Sequence, residues 1–299
     1  MKFKSLKIAG MSLGVLVSVV MISNDYVFAQ EAADDYVIEH EAANGGAPLK
    51  NERDSYISEE EQIELFQKSR SQMSESQKRD LAGKMEILNE EKELSHSLKA
   101  NLFDDNIEEV EEDDDLAFDI EENILSASIS YPKKILKVKH FEQANGYYCG
   151  PATVKQTLHY LTGKSPTQKS IANALGTTKQ GTDGTRIPKY LNEKQKKAYY
   201  IISTTTKASK LKRRIYENIG VTNKPSIARV KFEQTGSWRY PTNGHFLNVS
   251  GYTDNMKKVH LTDPYITIAD KTNKTGKYYV TFKDFQKAIK DHPNHHLYW

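Results

Sequence analysis

The sequence predicts an α+β domain built on an antiparallel sheet and preceded by a partly helical acidic extension. Three observations lead there. Between residues 127 and 299 the helical segments come first and the strand-like runs cluster behind them, joined by short turns, an order that favours an antiparallel sheet over an alternating parallel one. That stretch is rich in tyrosine and, at ~170 residues, long enough to bury one core. Charge divides the chain: residues 31–126 hold 29 acidic and 9 basic residues, net −20, whereas 127–299 hold 10 acidic and 30 basic, net +20, so the formal total of +2 conceals two opposed halves.

Taken in order, residues 1–29 have the layout of a signal peptide. A basic "MKFKSLK" precedes the apolar "IAGMSLGVLVSVVMI", and "VFA" before Gln30 fits a signal-peptidase cut. The apolar run falls short of the roughly twenty residues that span a bilayer. We therefore expect cleavage near Ala29 and a chain secreted or held at the cell surface, with no transmembrane segment once cut. Residues 31–56 carry no apolar period. From Ser58 the spacing of Ile63, Leu65, Phe66, Leu81, Met85 and Leu88 predicts one or two amphipathic helices, with "SEEE" as a capping-box start. The acidic "DDNIEEVEEDDDLAFDIEEN" reads as extended or disordered. The division expected is thus 1–29, 30–126 and 127–299.

Within the last part, helices are predicted at 149–162, ended by Gly163; 167–175, ended by Gly176; 185–195; 207–219, ended by Gly220; and over "TFKDFQKAIKDH". Strands are predicted at "AYYIIST", "PSIARVKF", "HFLNVSGY", "KVHLTDPY" and "KYYVTF".

The single cysteine, Cys149, falls where the first of these helices begins, with Gly150 and Pro151 in its first turn. A helix start supplies unpaired N–H groups and the positive end of the dipole, which favour a thiolate. Ala152, Val154, Leu158 and Leu161 would anchor the helix and leave the sulfur at its front. A lone cysteine is commonly an inert buried hydrophobe, but the polar approach "NGYY" and the absence of a disulfide partner favour a reactive thiol here.

Such a nucleophile needs a base. Among nine histidines, His245 opens a strand whose hairpin partner ends at Asp263, so the two are expected as cross-strand neighbours. His159 lies far around the cysteine helix, His260 sits mid-strand without an acidic partner, His140 precedes a loop, and His292, His295 and His296 read as a solvated cluster. Gln143 and Asn145 are side-chain amides close enough in sequence to serve an oxyanion, together with the Cys149 N–H. No histidine or cysteine spacing suggests a metal, and no cofactor is expected. Nucleic acid is disfavoured as a partner, because no such motif accompanies the basic charge.

Gln143, "YYCGPAT", "GHFLNVSGY" and "LTDPY", in this order, resemble the C39-type peptidases of the papain-like cysteine peptidase superfamily. The resemblance spans about 135–299 and implies a papain-like fold with Cys149 as nucleophile, His245 as general base and then acid, Asp263 as its orienting partner and Gln143 as oxyanion donor. "GTDGTRIPKYL" is similar to a short segment such domains carry between cysteine and histidine. Neither exporter helices nor a P-loop accompany it, so double-glycine specificity is not carried over. The expected partners are a peptide or protein substrate, an anionic cell surface, and the acidic half acting as an intramolecular propeptide that blocks or chaperones the domain. The competing readings are a non-catalytic module holding wall polymer or a partner protein, and an acyltransferase on the same fold.

Overall fold

The computed structural model describes residues 58–68, 72–103 and 130–299. The expected signal peptide, residues 31–56 and the acidic run after Phe103 lie outside the described residues. Two helices come first, α1 (Glu59–Lys68) and α2 (Glu75–Phe103). A short β1 (Lys134–Ile135) leads to α3 (Cys149–Thr162), α4 (Gln168–Leu175) and α5 (Arg186–Lys194). Then follow β2 (Ile202–Ser203) and α6 (Ala208–Ile215), which runs into a π-helical turn, Tyr216–Val221. The strands β3 (Ser226–Phe232), β4 (Thr242–Tyr252) and β5 (Lys258–Thr262) precede the single-turn α7 (Ile266–Ala269), β6 (Lys277–Thr281), α8 (Phe282–Asp291) and β7 (Leu297–Tyr298). This is the α+β architecture of a papain-like domain.

The sheet runs in the order β2-β7-β3-β4-β5-β6, with every pairing antiparallel. β1 pairs with the far end of β4 at Gly251 and Tyr252. Both faces of β4 are covered, and so it is almost continuously buried. Leu247 and Val249 pack with Leu211 and Ile215 of α6 and Phe285 and Ile289 of α8. Phe246 packs with Val154 and Leu158 of α3, Ile171 of α4 and Leu191 of α5.

Local signals set most helix limits. Gly163 ends α3 at φ 81° and Gly176 ends α4 at φ 65°, left-handed backbone that suits glycine. Thr167 caps α4 by accepting from the Ser170 N–H, and Thr281 caps α8 by accepting from that of Asp284. In the extension, Ser58 and Glu61 form the expected capping box, and Ser74 and Gln77 form a second one at the start of α2.

Several expectations are corrected. The run "AYYIIST" forms a strand only at Ile202–Ser203, with Ile201 exchanging backbone bonds with Trp299, because the backbone of Tyr199 is taken by Asp80 and Lys84 and that of Tyr200 by Asn192. Ile63, Leu81 and Leu88 are buried, but Leu65 is 51% exposed, and the Phe66 side chain lies outside the described residues. His292 and His296 are buried, not solvated: the segment they occupy returns into the fold as β7.

Candidate active site

Polar side chains buried between helix and sheet fix the cysteine helix on the central strand. Thr153 of α3 donates to the Phe246 carbonyl at 2.9 Å and Thr157 donates to Asn248 Oδ1 at 2.7 Å. The Asn248 amide donates back to the Thr153 carbonyl and to Gln156 Oε1. Each such bond inside the fold satisfies a group that would otherwise be buried unpaired. The register of α3 against β4 is therefore set.

Cys149 opens α3, and the residue before it, Tyr148, makes no side-chain capping bond; Pro151 has no N–H and that of Ala152 bonds the Tyr148 carbonyl, so the N–H groups of Cys149 and Gly150 are those left for another acceptor. Gly150 is needed for a close approach: a Cβ there would fall 2.4 Å from Thr182 Oγ1. The segment "GTDGTRIPKYL" is thereby laid against the start of the cysteine helix, with Thr182 held by Thr177 at 2.9 Å.

The sulfur is not presented at an open front as the sequence suggested. Cys149 has 0% exposure and packs in the apolar cluster of α3, α4 and α5. Its surroundings are nevertheless not wholly apolar, because His245 stands beside it. The Nδ1 of His245 is buried and forms no hydrogen bond of good geometry. Cys149 lies close enough to act on that ring through charge and a looser hydrogen bond. Sulfur and ring are thus neighbours without a fully aligned bond.

The other ring nitrogen, Nε2, lies 2.8 Å from Asp263 Oδ1, with both side chains fully buried. Their meeting differs from the simple cross-strand neighbour expected. The last registered pair of β4 with β5 near this end is Asn248 with Thr262, whereas His245 is registered with Val230 of β3. Asp263 sits one residue past β5, and the two side chains bridge the offset.

Three further donors hold Asp263. The Tyr265 N–H donates to Oδ1 at 2.9 Å, and the hydroxyls of Tyr240 and Tyr278 donate to Oδ2 at 2.7 and 2.9 Å. Burial alone would raise the carboxyl pKa; the neighbouring His245 charge and these hydrogen bonds outweigh it and hold the group below the usual carboxylate range. For His245, burial acts to lower the pKa, but the Asp263 charge and hydrogen bond, reinforced by Cys149, push it up to about 10. The ring thus lies between a carboxylate and a sulfur, and the carboxylate favours its protonated form.

Gln143 stands on a segment pinned from two sides. Its N–H donates to the Pro264 carbonyl at 3.0 Å, next to Asp263. The buried Gln168 amide accepts from the Ala144 N–H and donates to the Glu142 carbonyl. The Gln143 side chain donates through Nε2 to the Asn145 carbonyl at 2.7 Å, while its buried Oε1 has no partner. One N–H of that amide is thus engaged and one remains.

Of the competing histidines, His140 comes nearest, donating through Nε2 to the Asp263 carbonyl at 3.0 Å. His260 bonds Ser250, and burial pushes its pKa down to about 4. His159 stacks edge-on against Phe141. Sequence reasoning missed Tyr240, Tyr278 and Gln168. The tyrosines lie 23 and 15 residues from Asp263 and carry no local signal; only the burial of alternate residues in β6 marks Tyr278 as inward. Among the described residues, no group of three or more His, Cys, Asp or Glu is placed to hold a metal ion, and no helix is long and apolar enough to cross a membrane.

The model of the peptidase C39-like family matches residues 135–290. The chain belongs to the peptidase C39-like family. The matched span of this C39-like chain runs from β1 to the end of α8 and includes Gln143, Cys149, His245 and Asp263. Helices α1 and α2 precede it. No curated protein matches the chain.

Proposed function

We propose that the chain is an exported cysteine peptidase that hydrolyses peptide or related amide bonds through Cys149, His245 and Asp263. The observation that carries this reading is the buried His245 ring, bonded to Asp263 Oδ1 at 2.8 Å through Nε2 and set beside Cys149 on its other side. Three groups remote in sequence would have no structural need to meet in that order. His260, by contrast, is bonded to the neutral Ser250 hydroxyl.

In the proposed reaction the Cys149 thiolate attacks the carbonyl carbon, and the electron pair moves to the carbonyl oxygen. The Cys149 backbone N–H and the remaining Gln143 amide N–H receive that oxyanion. The tetrahedral species collapses as His245 gives its Nδ1 proton to the leaving amine, which leaves an acyl thioester on Cys149. Water then attacks the thioester, His245 takes the water's proton, and collapse releases the acid and restores the thiolate–imidazolium pair. Asp263, fixed by four donors, keeps the ring in one orientation. Because Cys149 has no solvent exposure, a substrate reaches it only as the side chains over the sulfur are displaced.

Export belongs to the same reading and is supported by the basic start, the apolar run and "VFA" ahead of Gln30. N-terminal sequencing of protein from the culture medium is expected to begin at Gln30; recovery only of cell-bound chain that still begins at Met1 refutes it. For the chemistry, Cys149→Ala is expected to abolish turnover of a peptide library. Full retention of function in that variant would establish a binding module instead, and product formation only with an added amine acceptor would establish an acyltransferase.

A further inference from the structure

The edge of the sheet away from β6 ends at β2, a strand of two residues. Ile201 exchanges both backbone bonds with Trp299, so the N–H and C=O of Ile202 point outward, where an unpaired edge would invite another strand. The extension fills that place with side chains. The Gln62 amide of α1 accepts from the Ile202 N–H at 2.9 Å and donates to the Ile202 carbonyl at 2.9 Å, both halves of a strand pairing made by one side chain. Asp80 of α2 accepts from the Tyr199 N–H at 2.6 Å, and Lys84 donates to the Tyr199 carbonyl at 2.5 Å. Gln77 donates to the carbonyls of Asn192 and Gln195, Ser74 to that of Lys196, and Ser76 to that of Lys197.

Beneath these bonds lies a third apolar cluster, in which Ile63, Leu81, Ile87 and Leu88 of the extension meet Tyr199, Ile201 and the fully buried Trp299. The Trp299 indole donates to Glu59 at 2.8 Å, and Lys84 and Arg214 lie 5.4 and 5.2 Å from its ring. Buried ion pairs close the seam: Asp80 with Lys224 at 2.5 Å, and Arg214 of α6 clasped by Glu59 and Glu91 with contacts of 2.8–3.1 Å. Among the described residues, no hydrogen bond or ion pair joins the extension to Gln143, Cys149, His245 or Asp263.

We propose that residues 59–103 are a permanent edge clamp of the C39-like domain, one that completes its sheet and core, and not a segment shed to uncover the active site. Removing them would strip partners from the backbone of Tyr199 and Ile202, bare Trp299 and Ile201, and leave Arg214 buried in part without either carboxylate. Each of these costs is incurred in folding, wherever the catalytic chemistry lies.

The test uses the full chain with a specific protease site introduced between residues 104 and 129. After cutting, the two pieces are expected to co-elute in gel filtration at both 0.15 M and ~1 M NaCl, since buried pairs are screened far less than exposed ones. If they part, the larger piece is expected to unfold. An isolated larger piece that keeps the circular dichroism and melting temperature of the intact chain, in either salt, overturns the proposal. In the uncut chain, Arg214→Met strands Glu59 and Glu91 and is expected to lower the melting temperature by about 5–10 °C; an unchanged melting temperature counts equally against a clamp. Neither readout depends on peptidase activity, so the clamp stands or falls apart from the catalytic reading.

Discussion

Asp263 receives four donors, two on each carboxylate oxygen, and this saturation is what gives the His245 ring a single orientation. Hydrogen bonds to a buried charge contribute about 1.5–3 kcal/mol each. Tyr240→Phe and Tyr278→Phe are accordingly expected to cost about that much stability in urea titrations, and more when combined. The pH dependence follows from the two shifts. The His245 pKa rises from 6.5 to about 10 on folding, so the stability tied to its proton is complete below pH 6.5 and fades as pH climbs through about 10. Asp263, held below 3.8, contributes above that value and loses its contribution as pH falls through its folded pKa. Urea titrations from pH 6 to 10 are expected to show this alkaline loss in the native chain and not in Asp263→Asn; parallel curves for the two contradict it. At this scale the sequence singled out Cys149, His245 and Asp263 as candidates, Cys149 from its place at a helix start and the other two from the strand and turn residues around them. It did not disclose the tyrosines, whose hydroxyls matter only once β5 and β6 are paired, nor the closure over the sulfur, which is set by packing from three helices.

At the scale of elements, the site depends on the start of α3 meeting the start of β4. Gly150 is the tightest point: Gly150→Ala places a methyl 2.4 Å from Thr182 Oγ1, and either the helix start or the 181–183 loop must move. A displacement near 1 Å of a reacting group costs on the order of 10²-fold in rate. The expected result is therefore a loss of kcat/KM of that order with the circular dichroism unchanged; native kinetics would show that the contact is not positioning the thiol. Helix ends were legible at Gly163, Gly176 and Thr281, but not at Gly220, which lies inside the π-helical turn Tyr216–Val221 where a helix end was expected. Strand β2 was expected to be longer, and the two-residue strands β1 and β7 were not legible, since a pair of residues has no periodicity and becomes a strand only through its partner. The burial of His292 and His296 was hidden for the same reason.

For the molecule as a whole, the opposed charges of the two halves are partly spent in short contacts at one edge of the sheet, where Asp80, Glu59, Glu90 and Glu91 meet Lys224, Arg214 and Arg213. The charge split was visible in composition, but the place of contact was not, because it depends on which edge the fold leaves open. The proposed chemistry requires a sulfur activated by His245. Mass spectrometry of the intact chain after exposure to a peptidyl thiol-directed electrophile at pH 7 measures this directly. A single adduct on Cys149 is expected, with its rate lowered about 10²–10⁴-fold in His245→Ala. Equal rates in the native chain and in His245→Ala, or no adduct on the folded native chain, would contradict it.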